Sequence, residues 1–347
     1  LATTAAPRYR LSVAREDGMG KRVALVLGSG GARGYAHIGV IDELEARGYQ
    51  ICCIAGCSMG AVVGGIHAAG KLAEYRAWIE SLDYLDVLRL VDVSFSLGMM
   101  RGEKVFGRIR EMLGEVNIED LPIPFTAVAT DLTNQQEIWF QEGDLHQAMR
   151  ASAAIPSIFT PVLQDQRTLV DGGLLNPLPI VPVVSSHCDL IVAVNLNAAG
   201  TRHYQLPEIE RPPAMRLSLD GLLNRLPFKR NGNGNGHTLP PSQPEEAEPE
   251  AQQPVAAPLK PGSPRSASGA RVMEQVGPAS LLELVNQSFE VMQTSLAQYK
   301  IAGYPPDVLI NVPRKVCRFF DFHRALELIA LGRQIASDTL DSYEASQ

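Results

Sequence analysis

A surplus of positive charge is missing from this chain: 31 Lys and Arg stand against 38 Asp and Glu, a formal net charge of −7 over 347 residues. Nucleic acid is not the expected partner, because neutralising phosphates takes a basic face. Cysteine is scarce and odd in number, with Cys52, Cys53, Cys57, Cys188 and Cys317 making five. Four sit in or beside apolar, strand-like runs and no second Cys/His pair has metal-ligand spacing, so they read as reduced, buried thiols of a cytoplasmic protein. No acidic cluster has calcium-ligand spacing either; neither a metal nor another cofactor is expected. An apolar leader is also absent. Residues 1–20 carry Arg8, Arg10 and Arg15 but no hydrophobic stretch, so a flexible extension is expected there and not a secretory signal. Ile51 to Gly70 lacks Asp, Glu, Lys and Arg altogether. Its glycines and alanines, His67 and a turn at Ser58 favour a buried strand–turn–helix over a membrane span.

Apolar residues make up 45% of the chain and aromatics 6%, enough for one large or two ordinary globular domains. Arg22 to Gly28 is a β-branched and leucine-rich run ending in glycine, the pattern of a buried first strand. Gly34 to Gly48 reads as a helix on Ile38, Ile41 and Leu44. A second strand, Ile51 to Ala55, precedes a helix over 58–69. This repetition implies a parallel sheet with helices on its faces. Helices are expected over 72–90, 104–113 and 145–154, and strands over 125–130, 137–140, 168–170 and 190–196. The composition then changes to Asn-Gly repeats, a Pro/Glu tract and a Pro/Ser/Ala tract between about 201 and 271. Such a segment buries too little apolar surface to offset its ordering entropy and reads as disordered. Within it, Met215 to Arg230 mixes leucines with arginines as an interfacial helix does. Gly221 and Pro227 interrupt it, which favours a loosely docked or disordered segment. Order resumes with a helix over 279–301, a strand over 308–312, and a helix over 322–339 with Asp321 as its N-cap. The expected domains are 1–20, the extension; 21–200, the core; 201–275, an insertion; and 276–347, terminal helices and a strand packing on the core.

Three motifs carry chemistry. Gly56-Cys57-Ser58-Met59-Gly60 lies between a strand and a helix. There a Gly-x-Ser-x-Gly turn holds a serine hydroxyl exposed at a helix N-terminus, where the dipole favours developing negative charge. Alone, the pentapeptide could equally be a tight turn. Gly28-Ser29-Gly30-Gly31-Ala32-Arg33-Gly34 follows the first strand; consecutive glycines let N–H groups converge on an anion or oxyanion. A dinucleotide loop is the weaker reading, since the third glycine of that fingerprint falls on Arg33 and the second strand supplies no acid. Gly65 to Lys71 mimics a phosphate loop but continues with Leu72 inside a helix. Asp171-Gly172-Gly173 ends a short strand, on the side of a parallel sheet where active sites gather, although taken alone a plain Asp-Gly-Gly turn is the favoured reading.

In this order, the three motifs resemble those of the patatin-like phospholipase family, and the Ser152-to-Pro161 stretch resembles a block that precedes the aspartate in bacterial members. The resemblance spans about 21–197. It implies a three-layer α/β/α fold with a mostly parallel sheet, plus a C-terminal helical segment. It further implies a Ser–Asp dyad acting on lipid carboxylic esters: Ser58 as nucleophile, Asp171 as proton acceptor, an acyl-enzyme between them. By resemblance, Gly30, Gly31 and Ala32 offer oxyanion donors and Gly28, Arg33 and Gly34 support their loop. Gly56 and Gly60 shape the elbow, and Gly172 and Gly173 complete the aspartate motif. A lipid ester is the expected substrate; peripheral contact with the inner face of a membrane and the oligomeric state are left open. Two alternatives stand beside this reading. One is a Ser-Asp-His hydrolase drawing on His37, His67, His187 or His323; the other is a scaffold that keeps the fold with little turnover.

Overall fold

β1 (Arg22–Leu27) is one exposed arginine followed by five fully buried residues, the signature of a strand covered on both faces. The computed structural model describes residues 21–90, 93–94, 99–100, 102–156, 158–199, 204, 206 and 281–347. After β1 come a 3-10 turn (Gly31–Tyr35), α1 (Ala36–Ala46), β2 (Gln50–Cys57) and α2 (Met59–Ala68). Next are α3 (Leu72–Glu80), α4 (Tyr84–Leu90), β3 (Val93–Ser94), β4 (Met99–Met100) and α5 (Glu103–Leu113). β5 (Phe125–Asp131), β6 (Gln136–Phe140), α6 (Leu145–Ser152), β7 (Val162–Gln164), β8 (Arg167–Asp171) and β9 (Leu190–Ala198) follow. α7 (Leu281–Gly303), β10 (Val308–Pro313) and α8 (Ala325–Glu344) complete the described chain.

The main sheet runs β10-β9-β1-β2-β5-β8-β7, with β6 also on β5. The run β10-β9-β1-β2-β5 is parallel throughout, while β6 and β8 pair antiparallel with β5 and β7 antiparallel with β8. The side-chain period of two divides β1 between layers. Val23, Leu25 and Leu27 join Ile38, Ile41 and Leu44 of α1 and Leu328, Ile329 and Ile335 of α8 in the larger core. Ala24 and Val26 face the other way, against Leu178, Ile180, Val183 and Ala297 of α7. The fold is thus a three-layer α/β/α arrangement, each fully buried Leu or Ile contributing roughly 1.5–3 kcal/mol.

Several expectations are corrected. The helix over 72–90 is broken at Ser81–Asp83 into α3 and α4. Asp321 does not cap the last long helix: it heads a 3-10 turn (Phe322–Arg324), its carboxylate accepts from Arg318 N at 2.9 Å, and α8 starts at Ala325. Not all cysteines are free thiols, since Cys52 and Cys188 form a disulfide while Cys53, Cys57 and Cys317 remain unbonded. The readings for 1–20, most of 201–275 and the 215–230 segment fall outside the described residues. Among those described, no helix is long and apolar enough to cross a membrane.

Candidate active site

β2 ends at Cys57, and the chain turns at Ser58 with φ 56°, ψ −123° before α2 begins. A β-carbon on a residue at that φ is strained, a cost that packed surroundings must hold in place. Gly60 makes the turn possible, because a β-carbon there would run into the carbonyl oxygen of Leu27. Ser152 of α6 pins the turn: Ser58 N–H donates to its Oγ at 2.9 Å, and that Oγ–H donates to Val128 O at 2.6 Å.

β5 acts as a shared ruler for the two halves of the site. Its residue Val128 pairs with Cys57 of β2, and its next residue Ala129 pairs with Asp171 of β8. Ser58, one step past Cys57, therefore lands beside Asp171. Ser58 Oγ–H donates to Asp171 Oδ2 at 2.5 Å, with Ser58 2% and Asp171 0% exposed. The other carboxylate oxygen accepts from Gly173 N–H at 2.7 Å and has Cys57 Sγ at 4.0 Å. Asp171 N–H donates to Ala154 O at 2.9 Å, tying the motif to the Ser152–Pro161 block. Burial pushes Asp171 up to about 7, against the opposing effect of the hydrogen bonds from Ser58 and Gly173. Gly172 packs on the carbonyl of Val128, and its own carbonyl accepts from Leu175 and Asn176.

The glycine-rich loop lies alongside. Gly28 N–H donates to Val194 O at 3.1 Å, and its carbonyl accepts from His37 Nε2 at 2.8 Å. Burial lowers His37 to about 4, so the imidazole is neutral and carries its proton on Nε2. Gly31 has φ +57° and meets the Phe319 ring, a backbone that glycine adopts without cost. Gly34 packs against Met59 across the loop–elbow junction. Arg33, 1% exposed, braces the loop four ways: to Gly30 O at 3.1 Å, Arg314 O at 2.7 Å, Asn197 Oδ1 at 3.4 Å and Glu290 Oε1 at 2.9 Å.

One expected oxyanion donor is corrected here. Ala32 N–H is spent on Phe319 O at 2.9 Å. Gly30 and Gly31 N–H have no partner among the described residues. Met59 N–H, the amide after Ser58 at the start of α2, is likewise unengaged; an amide at that position commonly joins such a hole. The Gly-x-Ser-x-Gly motif was the signal for it. Ser152 was visible only as the first residue of a resembling block. Nothing local in the sequence marks Glu290 or Gln293 of α7. Yet Gln293, 1% exposed, presses its amide on Gly173 beside Asp171 and Ser29 Oγ. Ile155, Ile158 and Phe319, with Phe159 and Phe289 against them, form a small apolar cluster flanking Gly31 and the Asp171 segment.

None of the four candidate histidines bonds to the pair. His37 holds the Gly28 carbonyl, His67 lies 3.6 Å from Glu45, His323 stacks edge-on with Tyr84, and His187 occupies a left-handed turn (φ 52°) before Cys188.

The family model of patatin-like phospholipases matches residues 25–184. An uncharacterized NTE family protein of Mycobacterium tuberculosis is 43% identical over 337 residues, covering 93% of this chain and 92% of that one. A second from the same species is 33% identical over 218 residues, 60% of this chain and 36% of its own. The neuropathy target esterase sws of Drosophila persimilis is 33% identical over 168 residues, 46% of this chain and 12% of that protein. With a relative so similar over nearly its whole length, this chain belongs to the patatin-like phospholipase family, among the NTE family proteins.

Proposed function

We propose that the protein is a serine acyl hydrolase of lipid carboxylic esters, of phospholipase A or lysophospholipase type, working through Ser58 and Asp171 alone. Lipid ester hydrolysis is what the family implies; the dyad and the substrate are our reading. The observation that carries it is the 2.5 Å hydrogen bond from Ser58 Oγ to the buried Asp171 carboxylate. An ordinary carboxylate is too weak a base for a serine hydroxyl, and burial that raises Asp171 to about 7 supports its use near neutrality. Ser58 attacks the ester carbonyl as Asp171 takes its proton. The oxyanion forms against the free amides of Gly30, Gly31 and Met59, each such donor contributing roughly 10²–10³ in rate. Asp171 then hands its proton to the departing alcohol, and water releases the acyl group by the reverse sequence. The Ile155, Ile158, Phe159, Phe289 and Phe319 cluster suits the acyl chain. Action at the inner face of a membrane, from the cytoplasm, fits such a substrate. No metal or cofactor enters the scheme.

The test is a fluorophosphonate probe followed by hydrolysis of lysophospholipid and phospholipid in detergent. Wild type should be labelled at Ser58 and release fatty acid, and Ser58→Ala should do neither. A folded wild type that takes no label and releases no fatty acid refutes the proposal and leaves the scaffold reading.

A further inference from the structure

We infer that Cys52, Cys53 and Cys188 form a thiol–disulfide exchange centre, a redox modification site whose small-molecule partner is a low-molecular-weight disulfide. The group lies at the opposite end of the sheet from the dyad. Cys53 is five residues before Ser58 on β2, roughly 17 Å at the rise of a strand. Cys188 stands just ahead of β9.

Adjacent residues of a regular strand point to opposite faces, so Cys52 and Cys53 should not both reach one partner. A bulge allows it. In the pairing of β1 with β2, Val23 faces Ile51 but Ala24 faces Cys53, which makes Cys52 the extra residue. A bulge re-aims a side chain, and the three sulfurs lie within 4.8 Å of one another. Cys52 and Cys188 are bonded, with Cα atoms 6.8 Å apart, and Cys53 Sγ lies 4.0 Å from Cys188 Sγ. Cys52 and Cys188 are half-buried, so a small reagent can reach them, and Cys53 is the most enclosed of the three. A metal site fits less well: among the described residues the group gathers three ligands where a structural zinc site takes four, and two of the three are already joined.

The exchange balances without an outside oxidant. The Cys53 thiolate attacks the Cys188 sulfur, a Cys53–Cys188 bond forms as the Cys52–Cys188 bond breaks, and Cys52 leaves as a thiolate that takes up the proton Cys53 gave away. Starting from three thiols, the Cys188 thiolate attacks the small disulfide and expels one thiolate. Cys52 or Cys53 then attacks the mixed disulfide at Cys188 and expels the second. Two protein thiols are oxidised, one small disulfide is reduced to two thiols, and two protons pass from protein to leaving groups. Burial pushes the Cys53 thiol up, with a hydrogen bond to Ser186 and the charge of Arg22 acting the other way. The closed form ties β2 to the entry of β9 across the intervening β1 and spans 136 residues of sequence, constraining the unfolded chain.

The full-length reduced protein, with Cys52→Ser, Cys53→Ser and Cys188→Ser variants, is treated with oxidised glutathione, alkylated and mapped by mass spectrometry without reduction. Circular dichroism checks each fold. Wild type and Cys53→Ser should carry a link to Cys188, and Cys52→Ser should carry Cys53–Cys188 instead. Oxidation should raise Tm by on the order of 5 °C in wild type and leave Cys188→Ser unchanged. A Cys52→Ser protein whose Cys53 and Cys188 both stay alkylatable overturns the exchange role. Wild type with no link to Cys188 overturns the site. One equivalent of zinc retained by the reduced protein, shielding the three thiols from glutathione, overturns it in favour of a metal centre.

Discussion

Replacing Asp171 by asparagine removes a carboxyl group that is 0% exposed, and keeps its size and an oxygen to accept from Gly173 N–H. In the native protein burial raises this group from 3.8 to about 7. In the unfolded chain it ionises near ~3.9. Below ~3.9 both states hold the proton and the group has no bearing on stability. As pH climbs from there to about 7, the unfolded state has lost a proton that the native state keeps, so stability falls. The slope is roughly 1.4 kcal/mol per pH unit and the accumulated loss on the order of 4 kcal/mol, complete above the native pKa. Asparagine does not titrate and is spared this loss. Urea unfolding of both proteins at four pH values reads the difference through the midpoint at constant m. The stability of Asp171→Asn minus that of wild type should climb between pH 4 and pH 8 and level off beyond each end. Curves that run parallel across that window would refute the claim that the fold holds a carboxylate against its desolvation. The same variant should lose about 10²–10⁴ in hydrolysis through the missing base. A protein that becomes more stable as it becomes inactive is the expected result.

Hydrolysis by wild type should follow the ionised fraction of Asp171: kcat/KM on a soluble ester rises tenfold per pH unit below about 7 and is flat above it, and a profile unchanged down to pH 5 contradicts the dyad. Ser152→Ala leaves Ser58 N–H and Val128 O without partners. Chemical denaturation should show a loss of about 1–3 kcal/mol, with kcat reduced more than KM is raised. Glu290→Gln weakens one of the four anchors of the buried Arg33. It should lower stability by about 2 kcal/mol and reduce kcat with KM little changed, measured on the same ester and by thermal melting.

The motifs were legible because each is local. A strained serine between a strand and a helix needs Gly60 for one particular collision, with the Leu27 carbonyl, and that need is written into five consecutive residues. The first strand's unbroken β-branched and leucine-rich run likewise announced a buried strand. What the motifs do not contain is their spacing in the fold. Ser58 meets Asp171 because Val128 and Ala129 are neighbours on β5, and no pattern in either motif says so. The disulfide was missed for a similar reason: an odd number of cysteines in apolar runs reads as buried thiols, and only the sheet order brings Cys52 and Cys188, 136 residues apart, together. The loss of Ala32 as a donor depends on Phe319, near the far end of the chain.

The distribution of Arg33's partners carries this further. The family match ends at residue 184 and contains Ser58, Asp171 and the whole glycine-rich loop. Apart from Gly30 in its own loop, every partner of Arg33 comes from beyond that limit: Asn197 on β9, Glu290 on α7 and the Arg314 carbonyl just after β10. Gln293, three residues past Glu290 and hence on the same face of α7, presses on Gly173. One helix face therefore braces both the loop expected to hold the oxyanion and the segment that carries Asp171. A chain cut near residue 200 would keep every chemical group of the proposed reaction. It would also bury a guanidinium with two of its four partners gone, a cost that shifting the loop relieves most easily. The terminal helices and strand belong to the site's geometry as much as the motifs do.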